Sequence, residues 1–298
     1  MTVSWTDIAR KDFEDAARSR LLWGLIAVFV AFLVMALLSA EQLFPPSVTV
    51  DAATALAGVA MLAQLFVPGI ALAAGYMAVV GERRSGSLRV LLSYPFSRGD
   101  LVAGKLVGRL LVTGTALLVG FAVASVLVVA LYGVPDATTV VGFVGTGVLL
   151  GLSFTGLAVG GSAAASTRGR ARTLTIGSFV AMVFFWKPVV VGLYYAATGS
   201  LPGLRVERWY VLMKRLNPLE AYRVLAGAVL DRRVDAVPEL PLEDVPMTAS
   251  PERLELATRL AGEVPFYLEE WAAAVVLLAW GLVPIAVGYW RFENADLG

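Results

Sequence analysis

Five runs with no charged residue, 21–40, 52–81, 110–135, 137–167 and 271–290, decide what this chain can fold into, and a sixth region, 173–204, is interrupted only by Lys187. A helix needs about 20 apolar residues to cross the hydrocarbon core of a bilayer. Every uninterrupted run reaches that length, and the interrupted region is long enough for one crossing. The chain therefore reads as an all-α, polytopic membrane protein with spans at about 21–40, 56–80, 107–131, 138–163, 173–197 and 271–290. A soluble helix bundle is the alternative, but only 16% of the residues are charged, against about a quarter in soluble domains. The first run is followed by Ser39-Ala40, as a cleavable leader would be, yet it exceeds the roughly 7–15 residues of a signal core. We read it as a retained span.

Basic residues gather on alternate connections. Arg10, Lys11, Arg18 and Arg20 precede the first span, and Arg83, Arg84, Arg89, Arg98, Lys105 and Arg109 lie between the second and the body of the third. Arg168, Arg170 and Arg172 separate the fourth and fifth, and Arg291 follows the sixth. Connections 41–55 and 132–137 carry none. The positive-inside rule puts both termini in the cytoplasm and segment 198–270 outside.

The chain has no Cys and no His, which removes disulfides, thiol nucleophiles, imidazole bases and most soft metal ligands. Serine without histidine makes no triad, and no carboxylates cluster at one depth within the spans, so a membrane enzyme is the least supported class. A net charge of +1 without a basic tail leaves no footprint for nucleic acid.

Before the first span, Trp5, Ile8, Ala9, Phe13 and Ala16 recur at helical spacing while Asp7, Arg10, Lys11, Glu14 and Arg18 fill the remainder. Such a helix lies in the cytoplasmic interface with its apolar face on the lipid. Between the second and third spans, ERRSGSLRVLLSYPFSRGDLVAGK (82–105) sets Leu88, Leu91 and Leu92 on one face among arginines. It then breaks at Pro95, and Ser97-Arg98-Gly99-Asp100 begins a second short helix. A knuckle tied to a span at each end can carry a push from a soluble partner into the membrane.

Residues 99–105, GDLVAGK, approach a phosphate-binding loop, but Leu106 stands where the Walker pattern needs Ser or Thr, and the context is helical where a strand is required. Gly104 and Gly108 then read as a small face for close packing of the third span, like Gly147/Gly151 and Gly156/Gly160. Lys105 reads as a residue with its stem on the lipid and its ammonium among headgroups. Lys187 lies well inside the fifth span, where a lysine costs about 2.5–3.5 kcal/mol. It is a candidate for lining a cavity or gate, for pairing with a carboxylate or carbonyl, or for snorkelling outward beside Trp186. In the outer segment, Trp209, Leu212, Met213 and Leu216, then Leu219, Tyr222, Leu225 and Val229 beyond Pro218, predict two short amphipathic helices at the outer surface. A proline-containing linker and a helix near 251–261 follow.

With these motifs in place, the stretch 82–105 resembles the cytoplasmic signature of membrane subunits of ABC-2 type ABC transporters, through Glu82, Gly86, the Leu91-Leu92 pair, Pro95, Ser97-Arg98 and Gly104-Lys105. WTDIARKDFEDAARSR (5–20) is similar to the family's elbow helix, and LNPLEAYR (216–223) to a family segment before the last span. The resemblance implies a single transmembrane domain of the ABC-2, type V exporter-like permease fold: elbow 1–20, coupling region 82–104, extracytoplasmic helical loop 198–270. It assigns ATPase coupling to Glu82, Gly86, Leu88, Leu91, Leu92, Pro95 and Arg98, the elbow contacts to Trp5, Ile8 and Phe13, and loop roles to Asn217, Pro218 and Arg223. Its implied partners are two separate cytoplasmic ABC ATPase subunits that hold the ATP and magnesium, a second and identical permease, membrane lipid, and an extracytoplasmic protein. No cofactor is implied in this chain. Within the family the chain is similar to permeases of the NosY kind, which serve metallocentre maturation. Transport across the cytoplasmic membrane is thus the expected function, and mechanotransmission to an outer partner without bulk passage is the alternative.

Overall fold

A computed structural model of the chain describes residues 5–39, 50–85, 97–238, 240–246, 251–260 and 262–295. Among these there is no strand, and six helices are long and apolar enough to cross a membrane. Helix α1 (Trp5–Ala17) precedes the first span, α2 (Arg20–Leu38). The second span is α3 (Ala52–Gly75), which passes through a turn into the short α4 (Val80–Ser85). Then follow α5 (Arg98–Tyr132), α6 (Ala137–Ala164) and α7 (Arg168–Thr198). The segment between α7 and the last span holds α8 (Arg208–Arg215), α9 (Pro218–Leu230), α10 (Pro251–Leu254) and α11 (Leu256–Arg259), and the sixth span is α12 (Glu270–Glu293).

Helix starts follow side chains that satisfy the first free N–H groups. Ser19, Asp51, Ser97, Asp136 and Thr167 each accept a backbone N–H three residues on. At Ser97 the cap is reciprocal: Asp100 Oδ2 accepts the Ser97 N–H at 2.8 Å while Ser97 Oγ accepts the Asp100 N–H at 3.1 Å. This capping box starts α5 at Arg98, so the separate short helix expected after Pro95 is instead the base of the third span. At 1.5 Å per residue the 35 residues of α5 reach about 50 Å, against about 30 Å of hydrocarbon. α5 is therefore longer than one perpendicular crossing needs.

Helix α6 is the packing centre, and its glycines face two different neighbours. A Cβ at Gly147 would meet the Phe121 ring of α5, and one at Gly151 would meet Leu117 of α5 at 3.0 Å. Cβ atoms at Gly156 and Gly160 would strike the backbone of α12 at Gly281 and Pro284, and one at Gly288 would strike the backbone of Gly160. These pairs do the close packing expected of them. Ser153 Oγ donates to the Leu277 carbonyl of α12 at 2.7 Å, and Thr113 meets Thr155 at 3.1 Å between α5 and α6.

The segment between α7 and α12 departs from expectation. α8 and α9 form where the apolar pattern placed them, but α9 is no surface helix. Its Ala221, Tyr222, Ala226 and Leu230 are buried in the same core as the spans, with Val229 against Gly142 of α6. Gln64, twelve residues into α3, donates to the Asp235 carbonyl just beyond α9 at 2.7 Å. α9 thus re-enters the bundle beside α3, α6 and α12.

Candidate functional site

At the elbow end of the bundle, α1 lies along the base of α5. A Cβ at Gly104 would sit 2.7 Å from Ile8 Cβ and 2.8 Å from the Trp5 carbonyl oxygen, and one at Gly108 would sit 2.8 Å from Asp12 Cβ. The contacts rise together along both helices, so α1 and α5 run side by side in the same direction. Gly104 and Gly108 are therefore a seat for the elbow, not a surface for another span. Ile8, Ala9 and Ala16 are buried, Phe13 is half-buried and Trp5 is 44% exposed. The apolar face read as lying on lipid is largely occupied by protein.

One residue on that buried face is charged. Asp12, 3% exposed, accepts from Lys105 Nζ at 2.7 Å and from Arg109 Nη2 at 2.9 Å, and its other oxygen lies 2.7 Å from Arg109 Nε. Lys105 also donates to Glu82 Oε1 of α4 at 2.8 Å. Two carboxylates and two cations make a neutral, largely buried node joining the elbow, the end of the second span and the base of the third. Lys105 does not snorkel; it is 8% exposed and held between two carboxylates. Nor can residues 99–105 wrap a phosphate, because they are continuous α-helix. Asp12 belongs to no motif, and its one signal in the sequence is a carboxylate four residues from both Ile8 and Ala16, on the apolar stripe.

Neighbouring elements converge on the same place. Ser162 Oγ of α6 accepts the N–H groups of Val79 and Val80, each at 3.1 Å, and so supports the turn from α3 into α4 that delivers Glu82. Arg98 Nη1 donates to the carbonyls of Phe292 (2.7 Å), Glu293 (2.7 Å) and Ala295 (3.1 Å), and its guanidinium lies 5.6 Å from the Phe292 ring centre. A cation on the last carbonyls of a helix satisfies them and matches the dipole. Arg98, expected to face an ATPase, thus clamps the C-terminal end of α12. Ile8, Val79, Leu101, Val102, Ala163 and Phe292 form one buried apolar cluster beneath. Of the other coupling residues, Gly86, Leu88, Leu91, Leu92 and Pro95 lie outside the described residues, between Glu82 and Arg98.

At the opposite end, the NPLE piece is the tip of the re-entrant hairpin. Asn217 Nδ2 donates to the Met182 carbonyl at 2.8 Å, within a π-helical turn of α7 (Ala181–Phe185), while its Oδ1 accepts the Leu219 N–H at 2.9 Å. Trp280 of α12 donates to the Leu216 carbonyl at 2.9 Å, and Pro218 opens α9, where a missing N–H costs nothing. Backbone polar groups at this depth need such internal partners. Arg223 pairs with Glu220 at 2.6 Å and donates to the Val234 carbonyl at 2.9 Å. Lys187 meets a backbone carbonyl, one of the partners expected for it: its Nζ donates to the Leu240 carbonyl at 2.6 Å, in the segment between α7 and α12. It thereby joins a second ionic cluster, in which Glu243 takes Lys214 at 2.5 Å, Arg259 at 3.1 Å and the Tyr210 hydroxyl at 3.1 Å. Burial pushes the Glu243 carboxyl up, but Lys214, Arg259 and Lys187 outweigh it and hold the group down at about 2. Burial and the Glu243 charge push Tyr210 up, so its hydroxyl stays a donor.

The family model for ABC-2 family transporter protein matches residues 6–297. The chain belongs to the ABC-2 transporter family. Two relatives carry the name probable ABC transporter permease protein NosY. That of Pseudomonas aeruginosa is 33% identical over 293 residues, covering 95% of this chain and 98% of the relative. That of Stutzerimonas stutzeri is 31% identical over 229 residues, covering 74% of this chain and 79% of the relative. The chain is thus a NosY-like ABC-2 permease by family, and a multi-pass membrane protein by its six spans. Among the described residues no group of three or more acidic side chains is placed to hold a metal ion.

Proposed function

We propose that this ABC-2 permease couples ATP hydrolysis by a separate ATPase to movement across the cytoplasmic membrane. The observation that carries the reading is the anchoring of both flanks of 86–96: Glu82 enters the Asp12–Lys105 node, and Arg98 clamps the end of α12. A displacement of that segment is passed at once to the elbow, the third span and the sixth. Two ATPase subunits act on two identical permeases, with both termini and this segment in the cytoplasm. ATP and magnesium belong to the ATPase, and the permease is non-catalytic. Leu88→Asp or Leu91→Asp weakens co-purification of the ATPase while leaving the permease inserted; normal capture by both variants would leave 82–98 as no more than a basic loop.

A second reading is mechanotransmission to an extracytoplasmic partner, as in metallocentre maturation by permeases of the NosY kind. It is favoured by the tying of the far segment to the spans through Lys187, Asn217 and Trp280, which would carry span movement directly into that segment. Vesicle flux in the reconstituted complex separates the two.

A further inference from the structure

A cleft of about 550 Å³ opens at the end of the bundle remote from the elbow, with Tyr194, Trp209 and Tyr267 and the guanidinium groups of Arg205, Arg208 and Arg259 on its walls. Its volume is that of a small-molecule site. The three arginines divide their work. Arg259 is spent on structure: it bonds Glu243 at 3.1 Å and the carbonyls of Gly203 at 3.0 Å and Leu204 at 3.3 Å, and its own carbonyl accepts the Val206 N–H at 3.1 Å. The loop bearing Arg205 is thereby fixed to α11. The exposed side chains of Arg205 and Arg208 have no hydrogen-bond, ion-pair or ring partner among the described residues. Glu207 is the one carboxylate on the wall, so the cleft carries a net positive charge.

Its depth is set by the aromatic residues. Tyr194 stacks on Trp209 with ring centres 5.7 Å apart near the C-terminal end of α7, where Leu193 and Tyr195 still present exposed apolar surface. Phe266 and Trp271, both exposed and stacked at 6.5 Å, bracket the start of α12. Tyrosine and tryptophan gather at the level of lipid headgroups. An aromatic rim of this kind, with the exposed Phe266 and Trp271 beside it, suits the headgroup level of a bilayer.

We infer that the cleft binds the phosphate of an anionic lipid headgroup, with Arg205 and Arg208 as the contacts and Trp209 and Tyr267 beside the glycerol and upper acyl region. Two guanidinium groups without a partner among the described residues, side by side on the cleft wall, match a phosphate's oxygens, and the aromatic walls suit an amphiphile better than a free ion.

Native mass spectrometry of the full chain in non-ionic detergent tests this, with phosphatidylglycerol, phosphatidylcholine and inorganic phosphate as separate probes. One saturably retained phosphatidylglycerol per chain is expected, with weaker retention of phosphatidylcholine and no displacement by phosphate in excess. Arg205→Gln/Arg208→Gln weakens retention by on the order of thirtyfold. Arg208→Glu alone, at an exposed position, gives a second variant, and melting temperatures confirm that both fold. Equal retention by the variants or equal binding of phosphatidylcholine overturns the site. Displacement by inorganic phosphate overturns the lipid as its occupant and gives the cleft to a soluble phosphate.

Discussion

Lys105 Nζ lies 2.7 Å from Asp12 Oδ1 across 93 residues of sequence, and this bond joins a helix that precedes the first span to the base of the third. The pair is buried, so its value lies less in net stability than in what its loss exposes. Replacing one partner of a buried ion pair strands the other charge at about 3–5 kcal/mol. Asp12→Ala strands Arg109 and leaves Lys105 with Glu82 alone, and should lower the melting temperature sharply in detergent. Asp12→Ala/Lys105→Ala should recover part of the loss, and a thermal-melt double-mutant cycle measures the coupling. Lys105→Arg, harmless for a lysine among headgroups, crowds a site already filled by Arg109 and should cost about 1–3 kcal/mol.

The elbow seat gives a second prediction. Gly104→Ala places its Cβ within 2.8 Å of the Trp5 carbonyl oxygen, which cannot turn away as a flexible side chain would, and Gly104→Leu is worse. The elbow must lift from α5. Gly114→Ala in the same helix meets nothing within 4 Å and should be neutral or slightly stabilising. Amide hydrogen exchange over 5–17 should rise in the Gly104 variants and stay unchanged in the Gly114 control.

Nucleotide binding gives a third. Residues 99–105 are helical and Lys105 is engaged with two carboxylates, so the purified permease alone should bind no ATP, and ATPase activity should appear only with the soluble partner. Stoichiometric, magnesium-dependent binding that is lost in Lys105→Ala would contradict this.

Spans were legible in the sequence because length without charge leaves a helix few alternatives in a bilayer. Turn chemistry was legible for the same local reason, and the α8–α9 break falls at Pro218. What periodicity could not supply was the partner of each face. The stripe of Ile8, Ala9 and Ala16 suits lipid or protein equally well, and only Asp12 within it signals a buried cation opposite. A thirteen-residue helix such as α9 reads alike on a surface or inside a bundle; the polar ends of Asn217 and Gln64, satisfied by distant carbonyls, decide its place. Arg98 entered the reading as one of the basic residues that set orientation, a count silent about the α12 carbonyls it caps.

The hairpin tip gives a fourth prediction. Asn217→Ala removes both the donor to the Met182 carbonyl and the N-cap of α9. The first loss leaves a buried carbonyl short of a partner, at about 1–3 kcal/mol, and the second adds about 1 kcal/mol. Hydrogen exchange across 218–230 should speed up with little change in α5. Asn217→Asp keeps the cap but loses the donor, and should fall between.

Acid sensitivity gives the last. Glu243 is held at about 2 against an ordinary glutamate value of about 4.5, with Lys214, Arg259 and Lys187 facing it and Tyr210 donating to it. Glu220 is lowered as well: burial raises it, but Arg223 and Lys214 prevail. A group whose folded value is depressed contributes stability above its unfolded value and loses it as pH falls toward the folded one. The cluster's stabilisation is therefore complete above about pH 5 and erodes down to about pH 2. For Glu243 the difference corresponds to on the order of 3 kcal/mol. The melting temperature of the wild-type chain should drop through this window. Glu243→Gln should melt lower at neutral pH, because three cations lose their anion, and should vary less between pH 5 and 3. Parallel slopes for the two proteins would mean that acid acts elsewhere.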